Sequence, residues 1–179
     1  MTNAELAILS LIAEQPRHGY EIEQVIEERG MRDWTEVGFS SIYYLLKKLE
    51  KDSLVEGQTE QTAGRGPARK VYDITPAGME ALRTALIEAL SVPQPRYSSF
   101  LLGIGNLPGL PPNEAVAALR QYHETLSARL THVQSRWEKQ QPLPYFVDAL
   151  FDYSISMIKA ELTWIEKFIK QMEEQNVKD

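Results

Sequence analysis

Apolar residues along the first fifty positions recur at helical spacing. Leu6, Leu9 and Ile12, widened by Ile8 and Leu11, predict a first helix over residues 2–14, and Thr2-x-x-Glu5 offers it a capping box. Pro16 stops it. A second helix is predicted from about His18, which caps or orients it, with Tyr20, Ile22, Val25 and Ile26 buried and Gly30 at its end. From Ser40 onward, Ile42, Leu45, Leu46 and Leu49 gather on one face of a third helix. At about 100° per residue the opposite face is centred on Ser40, Tyr44, Lys47 and Lys51, with Ser41, Tyr43 and Lys48 on its flanks.

The period then shortens to two. Residues 54–59 read as a strand, and residues 70–75, with Val71, Tyr72, Asp73 and Ile74 in alternation, read as its partner. Between them, residues 61–70 carry Arg65, Arg69 and Lys70, two glycines, a proline and no acid. Such a hairpin tip has nothing to bury and much to offer an anion. Thr75-Pro76 supplies an N-cap and a first-turn proline for a fourth helix through about Leu90. The fold class is therefore mainly α with a small β-hairpin wing. Pro93 and Pro95 mark a boundary, giving domains of 1–90 and 91–179.

The remainder reads as all helical. A short helix from Tyr97 to about Ile104, a Gly/Pro loop over 103–112, a long helix capped by Asn113 and running to about Lys139, and a last helix opened by Pro142 and Pro144 are expected. In that last helix Phe146, Leu150, Tyr153, Met157, Trp164, Phe168 and Met172 recur every three or four residues, with Ala149 and Ala160 filling the register, a stripe that calls for a partner helix. One reading makes its members from Phe146 to Phe168 a core and homodimer seam. The tail aromatics, among them Tyr97 and Tyr122, also suit the walls of a pocket between helices for a planar effector, with Phe100, Trp137, Tyr153 and Trp164 as candidates.

Composition narrows the chemistry. The 179 residues are 43% hydrophobic and 25% charged, enough to bury a core, and the net charge of −6 argues against coating nucleic acid through an overall field. A local footprint is unaffected, because counterion release depends on the Lys and Arg that meet phosphates. The chain has no cysteine, and its three histidines are scattered, so neither a metal site nor a cofactor is expected. His123 and His132 fall on opposite faces of one helix. No apolar run reaches the roughly 20 residues of a membrane span, and the N-terminus has no signal-peptide pattern, so the cytoplasm is the expected compartment. Tyr43-x-x-x-Lys47 matches the spacing of short-chain dehydrogenases but lacks an upstream dinucleotide turn. Gly103-Ile-Gly105 has Pro108 where a third glycine belongs, and reads as loop. No catalytic residue is assigned, and no enzyme is expected.

Helix, helix, helix, strand, basic tip, strand is the order of a winged helix, whose third helix enters the major groove while the wing grips backbone or minor groove. In Leu6-Ala-Ile-Leu-Ser-Leu-Ile12, His18-Gly-Tyr-Glu-Ile22, Ser41-Ile-Tyr-Tyr-Leu-Leu-Lys-Lys-Leu-Glu50 and Arg65-Gly-Pro-Ala-Arg-Lys-Val-Tyr-Asp-Ile-Thr-Pro-Ala-Gly78 the chain resembles the PadR-type transcriptional regulators over about its first 90 residues. Ser53 stands where that family usually has glycine. The tail resembles the longer helical C-terminal domain of one branch. The resemblance implies a homodimeric repressor on a pseudo-palindromic double-stranded operator, released by a small aromatic effector.

DNA contact is expected from Ser40, Ser41, Tyr43, Tyr44, Lys47, Lys48 and Lys51 on the helix and from Arg65, Arg69 and Lys70 on the wing. A lysine face alone is equally compatible with plain solvation, and the neighbouring basic tip is what favours a polyanion. Either tyrosine is also compatible with packing. Two alternatives stay open: an activator, and a winged-helix module that contacts another protein.

Overall fold

A computed structural model describes residues 1–35, 37–38, 41–60, 69–95 and 98–176. Two compact units divide the chain, Met1–Pro95 and Arg96–Asp179. The expected site residues Ser40 and Arg65, and Tyr97 of the tail, lie outside the described residues.

In the first unit, helix α1 (Asn3–Glu14) opens on the expected capping box: Thr2 Oγ1 accepts from the Glu5 amide, and the Glu5 carboxylate accepts from the Thr2 amide. Arg17–His18 then forms a two-residue strand, β1, before helix α2 (Gly19–Glu28). His18 caps α2 through Nδ1, which accepts from the Glu21 amide at 3.1 Å. Ile22 and Ile26 are buried and Val25 half-buried, whereas Tyr20 is 58% exposed, contrary to expectation. Two residues before Ile22, it projects roughly 160° away from the buried face. Gly30 ends the segment with φ 59, and a 3-10 turn, Met31–Asp33, follows.

Helix α3 (Ser41–Lys51) buries the four predicted positions, Ile42, Leu45, Leu46 and Leu49. Its end is a Schellman turn: the Leu54 amide donates to Leu49 O and the Ser53 amide to Glu50 O, with Ser53 in the left-handed region at φ 58. Strands β2 (Val55–Glu60) and β3 (Arg69–Ile74) form the hairpin, and β1 adds to the other edge of β3, giving the antiparallel order β1-β3-β2. Arg69 and Lys70 therefore belong to the strand rather than the tip. Helix α4 (Pro76–Ser91) starts on Thr75, whose Oγ1 accepts from the Gly78 amide and donates to the carbonyls of Ser53 and Leu54. One apolar core, with Ile8, Leu11, Ile12, Ile26, Leu46 and Val55 at its centre, joins these elements.

The second unit comprises helices α5 (Ser99–Gly105), α6 (Pro112–Gln140) and α7 (Tyr145–Asn176). Gly103 and Gly105 are helical, not loop, because the Ser98 hydroxyl caps α5 at its start and Asn106 Nδ2 donates to Leu102 O at its end. A 3-10 turn, Leu107–Gly109, leads to α6, which begins at Pro112 with Pro111 as N-cap. Two successive prolines with preset φ initiate the helix a residue before Asn113, so Asn113 is not its cap.

Helices α6 and α7 meet through Leu126, Ile158, Leu162 and Ile165, supported by Tyr122, Leu130, Val133, Ile169 and by Phe100 of α5. Cross-links reinforce the pair: Tyr122 to Glu161 at 2.8 Å, His123 to Glu166 at 2.9 Å and Arg120 to Glu173 at 2.5 Å. The face of α7 turned to α6 is thus not the stripe singled out in the sequence. Phe146, Leu150, Tyr153, Met157 and Trp164 lie roughly 120° around the helix from it and are exposed.

Candidate nucleic-acid interface

Burying Ile42, Leu45, Leu46 and Leu49 obliges the opposite face of α3 to face outward. Tyr43, Tyr44, Lys47 and Lys51 are all exposed there, Tyr44 at 67%. Ser41 is half-buried, and its Oγ donates to Gly38 O at 2.6 Å, which leaves its lone pairs as the remaining hydrogen-bonding capacity. Tyr43 leans on the start of α2: a Cβ on Gly19 would come within 2.6 Å of its ring. Tyr43 is thus packed along one edge and open along the other, while Tyr44 stands clear.

The lysines divide by partner. Among the described residues, Lys47 and Lys51 have no carboxylate partner. Lys48, half-buried, pairs with Glu5 of α1, a carboxylate only 5% exposed. Burial pushes the Glu5 carboxyl up, but the hydrogen bonds from Lys48 and Thr2 outweigh this and hold it below its ordinary value. The same bond raises the Lys48 ammonium. Lys70 of β3 pairs with Glu50 of α3 at 2.7 Å, and that bond raises the Lys70 ammonium. Arg69 is exposed beside it in β3, opposite Glu60 in the register.

Sequence reasoning placed Glu5 in a capping box and gave Glu50 no role, and it missed the pairing of both with lysines. Both are charged residues on helices and carry no local signal of a partner 43 or 20 positions away. Glu14 was missed for the same reason. It accepts from Arg29 at 2.6 and 2.8 Å and from Arg17 at 3.0 Å, and so ties α1, β1 and α2 together behind α3. Arg17 is buried and also donates to Leu11 O.

The four residues expected at an effector site do not converge. Phe100 stacks on Tyr122 at 4.5 Å and meets Trp164 edge-on at 6.0 Å, and Trp164 stacks on Phe168 at 4.9 Å. Trp137 instead donates to Asp148 at 2.7 Å, and this bond, with a second from Gln141, lowers the Asp148 carboxyl. Asp148 and Trp164 are separated by sixteen residues of one helix, about 24 Å. Phe100 and Trp164 share a site, and Trp137 belongs to the other end. Tyr153 lies on the exposed stripe between them. Among the described residues no cluster of His, Asp or Glu is arranged to hold a metal, and no helix is long and apolar enough to cross a membrane.

Comparison with known proteins bears on the fold. The model of the transcriptional regulator PadR-like family matches residues 8–84, from α1 into α4. PadR of Bacillus subtilis in complex with operator DNA is 24% identical, with 94% of this chain and 98% of that one covered and a TM-score of 0.76. The same protein in complex with p-coumaric acid is 21% identical, with 96% and 99% covered and a TM-score of 0.80. A PadR-like transcriptional regulator from Bacillus cereus is 18% identical, with 96% and 99% covered and a TM-score of 0.69. No curated protein matches the sequence. Residues 8–84 are thus similar to the PadR-like family of transcriptional regulators, and over nearly its whole length the chain has the winged-helix fold of the PadR structures with their longer helical C-terminal part.

Proposed function

We propose that the chain is a homodimeric repressor that binds a pseudo-palindromic operator through α3 and the wing and leaves it when a small aromatic molecule binds the second unit. The observation that carries the DNA reading is the outward face of α3. In a protein of net charge −6, Lys47 and Lys51 stand exposed and unopposed among the described residues, interleaved with two exposed tyrosines. Ser41, Tyr43, Tyr44 and Lys47 would approach base edges, with half-sites about 10 bp apart or a multiple of that. Lys51 and Arg69 would meet phosphates, together with Ser40 and Arg65, which lie outside the described residues.

Salt dependence tests this directly. Titration of the full-length protein against a labelled random-sequence duplex should give a slope of log K on log salt that flattens by about 0.9 for each phosphate-binding cation removed, by Lys51→Ala or by Arg69→Ala. Unchanged slopes would remove the interface from this face.

The dimer reading rests on the exposed stripe of α7. From Phe146 to Phe168 it runs about 33 Å, apolar or aromatic at nearly every turn, on the side away from α6. The effector reading rests on the Phe100, Tyr122, Trp164 and Phe168 stack, and on the p-coumaric acid complex of the Bacillus subtilis protein. A ligand there would relieve repression only by binding the DNA-incompetent state more tightly.

A further inference from the structure

The wing carries two adjacent cations, and the strand register sends them to opposite sides of the sheet. Lys70 pairs with Thr59, and Tyr72 with Gly57, so Lys70 shares a face with Tyr72, Ile74, Gly57 and Val55, the face on which Tyr72 and Val55 are buried. Arg69 projects from the other face. The Lys70 stem crosses over Gly57 so closely that a Cβ there would lie 2.1 Å from Lys70 Cε and 2.7 Å from Glu50 Oε1. Its Nζ ends 2.7 Å from Glu50 Oε2 and 5.4 Å from the centre of the Tyr72 ring, held by a carboxylate and an aromatic face at once.

We propose that Glu50 is a positioning residue for DNA recognition, holding Lys70 as a brace between the recognition helix and the wing, so that Lys70 is not a phosphate ligand. Apart from this pair, α3 and the hairpin are joined by a three-residue turn at one end of the helix and by the apolar core that Leu46, Leu49, Val55 and Tyr72 share. The pair adds a polar tie from α3 to β3, and Gly57 leaves the space in which it lies. Both DNA-facing elements are then presented at one fixed angle, and less ordering remains to be done on binding. To reach a phosphate, Lys70 would have to leave both partners and expose a carboxylate beside a polyanion.

The proposal rests on the DNA reading above, and one of its measurements is independent of DNA. In the full-length protein without DNA, Glu50→Gln should accelerate amide hydrogen exchange across residues 69–72, and equal exchange would overturn the brace. In titrations with the labelled random-sequence duplex, Glu50→Gln should bind about 3- to 10-fold more weakly although it removes a negative charge. Lys70→Met should lose the same factor, and the double variant should lose no more than either single one. Gly57→Ala, which displaces the Lys70 stem and keeps both charges, should reproduce the loss, so the result does not depend on one variant folding well. All four should keep the wild-type salt slope. A slope lower by about 0.9 per monomer in Lys70→Met would make Lys70 a phosphate ligand and overturn the proposal. Tighter binding by Glu50→Gln or Gly57→Ala would do the same. If the wild-type protein binds no duplex, the DNA reading fails while the exchange measurement still decides the brace.

Discussion

At the scale of single residues, Ser53 shows what a local rule can and cannot tell. The family resemblance expects glycine there, and the backbone gives the reason: φ is 58, the left-handed conformation that closes the turn after α3. A side chain in that conformation costs about 1–2 kcal/mol, partly offset by the lower unfolded-chain entropy of serine relative to glycine. Ser53→Gly should therefore stabilise the protein by roughly 0.5–1 kcal/mol, read as a higher urea midpoint with unchanged slope. A lower midpoint would mean that the serine side chain contributes something its backbone angle does not reveal. The capping residues Thr2, His18 and Thr75 were legible because their partners lie three positions on. The fates of Lys48 and Lys70 were not. Spacing placed them on or beside an outward face, but whether a lysine is free depends on carboxylates that only the tertiary fold brings near.

At the scale of elements, helices with a full apolar stripe were legible and short or two-faced elements were not. Strand β1 is two residues long and exists because Arg17 and His18 fit the free edge of β3, a pairing that no local pattern announces. Helix α7 carries two stripes, and the aromatic one is the more conspicuous in sequence while the aliphatic one, Ile158, Leu162 and Ile165, packs against α6. The knot that fastens α1, β1 and α2 is electrostatic and should be sensitive to acid. Hydrogen bonds from Arg29, opposed by burial and helped by Arg17, hold the Glu14 carboxyl below its ordinary value of 4.5. Its folded value being depressed, its contribution is complete above about pH 4.5 and is lost as pH falls through the lowered value. Glu14 is 42% exposed on its side chain, so solvent keeps the effect to about 1 kcal/mol or less. Urea midpoints of Glu14→Gln should approach those of wild type as pH drops toward about 3, and a constant gap would show that the acid sensitivity lies elsewhere.

At the scale of the molecule, the first unit has its own core, its own sheet and the whole of the candidate DNA surface. A fragment of residues 1–95 should unfold cooperatively on its own, sediment as a monomer and bind duplex DNA at least about 10-fold more weakly than the intact chain, because in the proposed dimer two tethered heads would act at high effective concentration. A fragment that stays dimeric would move the seam from α7 to the exposed Leu86, Ile87 and Leu90 at the end of α4. Function was unevenly legible at this scale. The candidate DNA face was proposed from charge on one helix surface, whereas the four aromatic candidates of the tail fall at three places along the α6–α7 pair, Phe100 with Trp164, Trp137 at the other end and Tyr153 between, which only the pairing of the helices reveals.

The meeting of α3 and α4 has a mechanical consequence. The Leu54 carbonyl, three residues past the end of α3, accepts from both the amide and the hydroxyl of Thr75, and Gly78 approaches it so closely that a Cβ would lie at 1.9 Å. There is no slack in such a joint. A tilt imposed on the first turn of α4 would therefore bear directly on the end of α3, as through a lever with Leu54 at the pivot.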